Sequence, residues 1–196
     1  MPLSLRLVLL GLCFVWPATA AAQTAVSATA PRVLAEGVDT LKGDDGERVT
    51  LRSTMVYDPV AGEYVREVSD AETGAFVSRT VLAAPMIRPT PEEDAAAKAL
   101  VTADAEIAAL IAASPYEVVI DGGFPLVREA GHGCGPGSRC LQYDVYELGP
   151  GRLGAERLRY VVVDLRAVAL FSNDFDPVAE GNLANPAAAR SSRSAR

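Results

Sequence analysis

"PTPEEDAAAKALVTADAEIAALIAAS", residues Pro89 to Ser114, decides the fold class. Thr90 stands where an N-cap hydroxyl is needed, Pro91 takes the first helical position, and Glu93 completes a capping box three residues on. Ala96, Leu100, Ala103, Ile107, Leu110 and Ile111 then recur at helical spacing as one apolar stripe. Asp104 is placed to cap a second segment, so a break is expected between Thr102 and Asp104. The alanine-rich face predicts close approach to a sheet rather than to a membrane.

Strand-like runs lie on both sides. Upstream, "YDPVAGEYVR" (Tyr57 to Arg66) is echoed twelve residues later by "SDAETGAFVS" (Ser69 to Ser78). Both copies run Asp, three residues, Gly, one residue, aromatic, Val. Asp58 and Asp70 can accept hydrogen bonds from their own turns, and Gly62 and Gly74 supply the positive φ that closes a hairpin. Leu51, Met55, Tyr57, Tyr64, Val68, Phe76 and Leu82 alternate around these turns. The pattern predicts a three-stranded meander from about Val49 to Leu82. Downstream, "YEVVI" (116–120) and "FPLVRE" (124–129) read as strands on either side of Gly122. "CLQYDVYEL" (140–148) sets Leu141, Tyr143 and Val145 against Gln142, Asp144 and Tyr146. "RLRYVVVDLRAVALFS" reads as two strands around Asp164 to Ala167. The expected class is α+β: an N-terminal antiparallel β-meander (32–84), then a helix packed on an antiparallel sheet (85–176), with one sheet face covered and the other partly wet.

The ends carry different signals. "MPLSLRLVLLGLCFVWPATAAAQ" places Arg6 before an apolar run from Leu7 to Trp16 and small residues from Ala18 to Ala22. That is the pattern of a secretory signal, cleaved after Ala20 or, preferably, between Ala22 and Gln23. The run is about half the ~20 residues of a membrane span. Signal 1–22 then gives a periplasmic or secreted protein with no membrane span after processing. Cys13 leaves with the signal. Residues 23–31 and the tail 177–196, with Arg190, Arg193 and Arg196, are expected to be disordered.

The chain carries 18 basic and 25 acidic residues, a net −7. Loss of Arg6 makes it −8, which argues against nucleic acid and anionic lipid as partners. No glycine-rich phosphate motif precedes a helix. A Ser-His-Asp triad would have to use His132, the one histidine, on a flexible loop. "GDDGE" (43–47) and "SNDFDP" (172–177) lack the ligand spacing of a calcium loop and read as solvated turns.

From Thr90 to Phe171 the chain resembles the small cystatin-like domains found as PepSY modules and as N-terminal domains of copper amine oxidases. The resemblance rests on "TPEEDAAAKAL", "ADAEIAALI", "RCLQYDVYEL" and "YVVVDLRAVAL". "SDAETGAFV" likewise resembles the Asp-x-x-Thr-Gly turn of PepSY modules. It implies a cystatin-like fold and a binding or accessory role. Oxidase activity is not implied, because the three copper histidines and the Asn-Tyr-Asp/Glu motif of the catalytic domain are missing.

"GHGCGPGSRC" (131–140) concentrates the remaining chemistry. Cys134 and Cys140 read as a disulfide in an oxidising compartment, closing the loop between "FPLVRE" and "CLQYDVYEL". Its exposed rim, edged by Arg128, His132 and Arg139, is the candidate contact loop. A metal or redox centre on His132, Cys134 and Cys140 is the alternative, although zinc usually takes four ligands in a structural site and a redox thiol needs nearby positive charge. The function expected is an exported, non-catalytic binding or accessory module. It needs no cofactor, has no catalytic residues, and meets an exported protein or ligand through its sheet surface and stapled loop. A structural envelope component using the arginine tail is a third reading.

Overall fold

A computed structural model describes residues 26–43, 46–149 and 155–176. Its elements are β1 (Arg32–Lys42), β2 (Arg48–Asp58), β3 (Glu63–Asp70), β4 (Phe76–Leu82), α1 (Pro91–Ala103), α2 (Ala105–Ala113), β5 (Val118–Leu126), β6 (Cys140–Leu148), β7 (Ala155–Asp164) and β8 (Ala169–Ser172). They form two four-stranded sheets, ordered β1-β2-β3-β4 and β5-β6-β7-β8, with every pairing antiparallel. The class is mixed α+β and mostly sheet.

The meander has one strand more than the hydrophobic pattern predicts. β1 pairs with β2 from Arg32↔Tyr57 to Lys42↔Arg48. Nearly all of its residues are exposed, so no buried face imprints a period of two on "RVLAEGVDTLK". Both repeat turns form as expected. Asp58 Oδ1 accepts from the Val60 and Ala61 N–H groups at 2.9 and 3.1 Å. Asp70 Oδ1 accepts from the Glu72 and Thr73 N–H groups at 3.0 and 2.7 Å, and from the Thr73 hydroxyl at 2.8 Å. The Thr73 bonds hold the Asp70 carboxyl below its usual range. Gly62 and Gly74 sit at φ 69° and 72°.

The capping box closes reciprocally. The Glu93 N–H donates to Thr90 Oγ1 at 3.2 Å, and the Thr90 N–H to Glu93 Oε2 at 3.3 Å. Asp104 caps α2 through Oδ1, which accepts from the Glu106 and Ile107 N–H groups at 3.1 Å. Within α1 the apolar stripe is rotated one residue from its predicted course. The buried helical residues of the core are Ala97, Val101 and Ile107, while Ala96 is half-buried and Ala103 exposed. They pack on Leu141, Tyr143, Val145, Val161, Val163 and Leu165. Each large apolar side chain so buried stabilises the fold by roughly 1.5–3 kcal/mol.

A second correction concerns Gly122. The two predicted strands around it are one continuous strand, β5, with a bulge between Gly122 and Phe124. A Cβ on Gly122 would lie 2.9 Å from the Gln142 carbonyl oxygen, so the glycine marks a close backbone approach rather than a turn. Among the described residues no helix is long and apolar enough to cross a membrane. The expected signal with its Ala22–Gln23 cleavage, residues 23–25 of the 23–31 segment, Asp44 and Asp45 of "GDDGE", and the tail from 177 lie outside the described residues.

Candidate functional site

Cys134 and Cys140 are joined, with Cα atoms 5.6 Å apart. The loop they close folds back over the sheet face opposite the helices. There Cys134 and Cys140 pack with Leu126, Val162 and Phe175, all buried. Turns hold the loop internally: Arg128 N–H to Cys134 O at 2.7 Å, Gly135 N–H to His132 O at 2.8 Å, and Ser138 N–H to Gly135 O at 3.0 Å. His132 Nδ1 accepts from the Cys134 N–H at 3.0 Å, and its ring lies 5.4 Å from that of Phe171. With both sulfurs joined, Cys134 and Cys140 supply no thiolate for a metal or for thiol exchange. The variant Cys134→Ser/Cys140→Ser is expected to lose about 2 kcal/mol, the value for so short a ring. Alkylation followed by mass spectrometry checks the pair: wild type takes up label only after denaturation with reductant.

The predicted contact loop needs correction at Arg139. Its side chain is 1% exposed, and it points inward to Glu93, 46 residues earlier. Arg139 Nη2 and Nε donate to Glu93 Oε2 and Oε1 at 2.6 and 3.2 Å. Nη1 reaches the Ile87 carbonyl at 2.8 Å, and Nη2 the Arg88 carbonyl at 3.2 Å. Burial pulls the Arg139 pKa down, but the bonds and charge of Glu93 outweigh it and hold the pKa above the ordinary value. Arg128 is also largely covered and pairs with Glu129 at 3.5 Å. Only His132, half-buried, remains on the rim.

The loop's far end meets the protein's own meander. The Tyr57 hydroxyl donates to the Gly137 carbonyl at 3.0 Å, and the Tyr64 hydroxyl to the Ser138 carbonyl at 2.6 Å. Arg166 Nε donates to the Pro59 carbonyl at 2.9 Å, and Arg32 Nη2 to the Leu165 carbonyl at 3.2 Å. Arg32 also lies 3.5 Å from Glu93, over the Tyr57 ring. Burial lowers its pKa, which the charge of Glu93 offsets only in part. The backbones of Gly62 and Gly137 touch at this seam. A Cβ on Gly137, at φ 84°, would fall 2.5 Å from the Gly62 oxygen. Gly137→Ala is therefore expected to cost about 1–3 kcal/mol in backbone strain, read as a lower urea midpoint.

Beyond the loop, the same sheet face stays open among the described residues. Register puts Asp121, Asp144 and Tyr160 in one cross-strand row, and Val119, Tyr146 and Arg157 in the next. Asp144 is buried; the Tyr146 hydroxyl donates to its Oδ2 at 2.8 Å. Arg157 Nε lies 3.3 Å from Oδ1, and its guanidinium carbon 4.2 and 5.4 Å from the Tyr160 and Tyr146 ring centres. Further along, Arg88 lies over the exposed ring of Phe124 at 4.5 Å. A cleft of about 220 Å³ opens beside Arg157, lined also by Arg159, Asp174 and Phe175.

No family model matches the chain, and no curated protein matches it. Sequence reasoning missed the second role of Glu93, the seam residues Arg32, Tyr57 and Tyr64, and the Asp144–Arg157 pair. Only alternation within "CLQYDVYEL" hinted at any of them, by setting Asp144 and Tyr146 on the face away from the helices.

Proposed function

We propose that this chain is an exported, non-catalytic binding or accessory module, cystatin-like or PepSY-like, that meets a protein or ligand through the open face of its second sheet. The observation that supports this reading is the make-up of that face. Tyr146, Tyr160, Phe124, Arg88 and Arg157 gather on strands β5–β7 and just before α1, where no element among the described residues covers them. Aromatic residues and arginine are the types enriched at protein interfaces. The stapled loop borders this surface and stiffens it; its inner end serves the seam rather than a partner.

The test is affinity capture from the cell envelope with tagged residues 23–196. A partner retained by wild type and by Phe76→Ala on the first sheet, but lost with Phe124→Ala, supports the reading. A partner indifferent to Phe124, or native thiols that bind a metal or react with alkylating agent, would favour the His132–Cys134–Cys140 alternative or a different surface.

A further inference from the structure

We infer that Asp144, Tyr146 and Tyr160 form a receptor for a guanidinium group, which Arg157 of the same chain fills and which an arginine side chain of a partner takes in its place. This deepens, and rests on, the reading of the open face as the contact surface.

The geometry begins with a buried anion. Asp144 is 7% exposed, and among the described residues its Oδ1 has no hydrogen-bond partner, only the ion pair with Arg157. A carboxylate taken out of water needs a cation close by. Asp121 lies directly across the β5–β6 pair and adds negative charge to the row. The cation present comes from the next cross-strand row and is far more open to water than the anion: the Arg157 side chain is 41% exposed, whereas that of Asp144 is 10%. Such an exposed partner contributes little net stability. Its departure exposes a site whose charge and aromatic walls persist.

The walls select the shape of the cation. The guanidinium carbon stands closest to the Tyr160 ring, at 4.2 Å, with the Tyr146 ring at 5.4 Å. A cation within about 6 Å of an aromatic centre is attracted by the ring quadrupole, and a planar guanidinium can also stack. Arg157 thus shows what the site accepts. The net charge of −7 draws basic partners toward the surface. Arg157 competes at the effective concentration of a tethered group, in the millimolar range. A free small cation must therefore bind wild type much more weakly than a variant lacking Arg157.

The experiment uses the full chain and ethylguanidinium chloride as probe, with sodium chloride at matched ionic strength as control. In Arg157→Ala, ethylguanidinium is expected to move the Tyr146 and Tyr160 ring resonances saturably and raise the unfolding midpoint. Wild type responds at least tenfold more weakly, and Asp144→Asn/Arg157→Ala does not respond. Arg157→Lys, which keeps the charge but not the plane, is expected to bind the probe more tightly than wild type, and serves if the alanine variant does not fold. Equal responses to sodium chloride, or no saturable shift in either Arg157 variant, overturn the receptor. That failure is distinct from failure of the module, which turns on whether captured protein depends on Phe124.

Discussion

Glu93→Ala is expected to lower the unfolding free energy by about 3–5 kcal/mol, the cost of leaving a buried charge without its partner. Glu93 is 1% exposed and is the carboxylate that faces both Arg139 and Arg32 in the seam. Without it, the Arg139 guanidinium keeps its bonds to the Ile87 and Arg88 carbonyls but loses both bonds to an anion. About 1 kcal/mol of the loss belongs to the helix cap, since the same carboxylate reaches back to the Thr90 N–H. Glu93→Gln separates the two contributions: an amide oxygen can still accept from Thr90, but it brings no charge to Arg139. Urea titrations of the two variants, with Glu93→Leu/Arg139→Met as a third, measure this. The double variant is expected to recover part of the loss, because an apolar pair requires no desolvated charge.

Raising the pH above 10 is expected to unfold the protein far more steeply than it would a chain with exposed tyrosines. Burial pushes up the pKa of Tyr57, Tyr64 and Tyr143. Tyr57 and Tyr64 donate to carbonyls, and Tyr143 donates to Asp94 Oδ1 at 3.0 Å, so ionisation would set negative charge against each acceptor. The unfolded chain releases these protons near pH 10, while the folded chain retains them. Stability is therefore complete below pH 10 and falls as pH rises toward the folded values. Each such tyrosine contributes a slope of about 1.4 kcal/mol per pH unit, and three together about 4. Denaturant midpoints between pH 9 and 11.5 read the slope directly, and Tyr64→Phe removes about a third of it. Absorbance titration of the folded protein gives the second view, with Tyr57, Tyr64 and Tyr143, and also Tyr146 beside Asp144, ionising late among the six tyrosines.

Local features were legible in the sequence because their partners sit within a few residues. The capping box, the Asp104 break, both Asp–Gly turns and the six-residue disulfide all belong to this class. The order of strands β2–β8 followed from periodicity and punctuation, apart from the bulge at Gly122. Arg139 was misplaced for a physical reason. Four glycines around it signalled a surface loop, whereas its conformation is set by a carboxylate on another element. The Asp144 site was hidden by register. A bulge between Val145 and Tyr146 brings Tyr146 opposite Arg157, and that offset leaves no trace in the composition of either strand. β1 was silent because only Leu34 of its residues is buried, too few to print a period of two.

Each sheet pairs only strands that are neighbours along the chain, so its contacts are local and its hairpins are fast to form. The bonds that join the sheets link residues 74 to 133 apart in sequence. By contact order, docking of the halves is the step expected last in folding. A chain waiting at that step presents Tyr57, Tyr64 and Leu34 to solvent beside the open edges of β1 and β4. A chain held at that step is expected to be the form most prone to aggregate, because both apolar surface and unpaired strand edges are then bare.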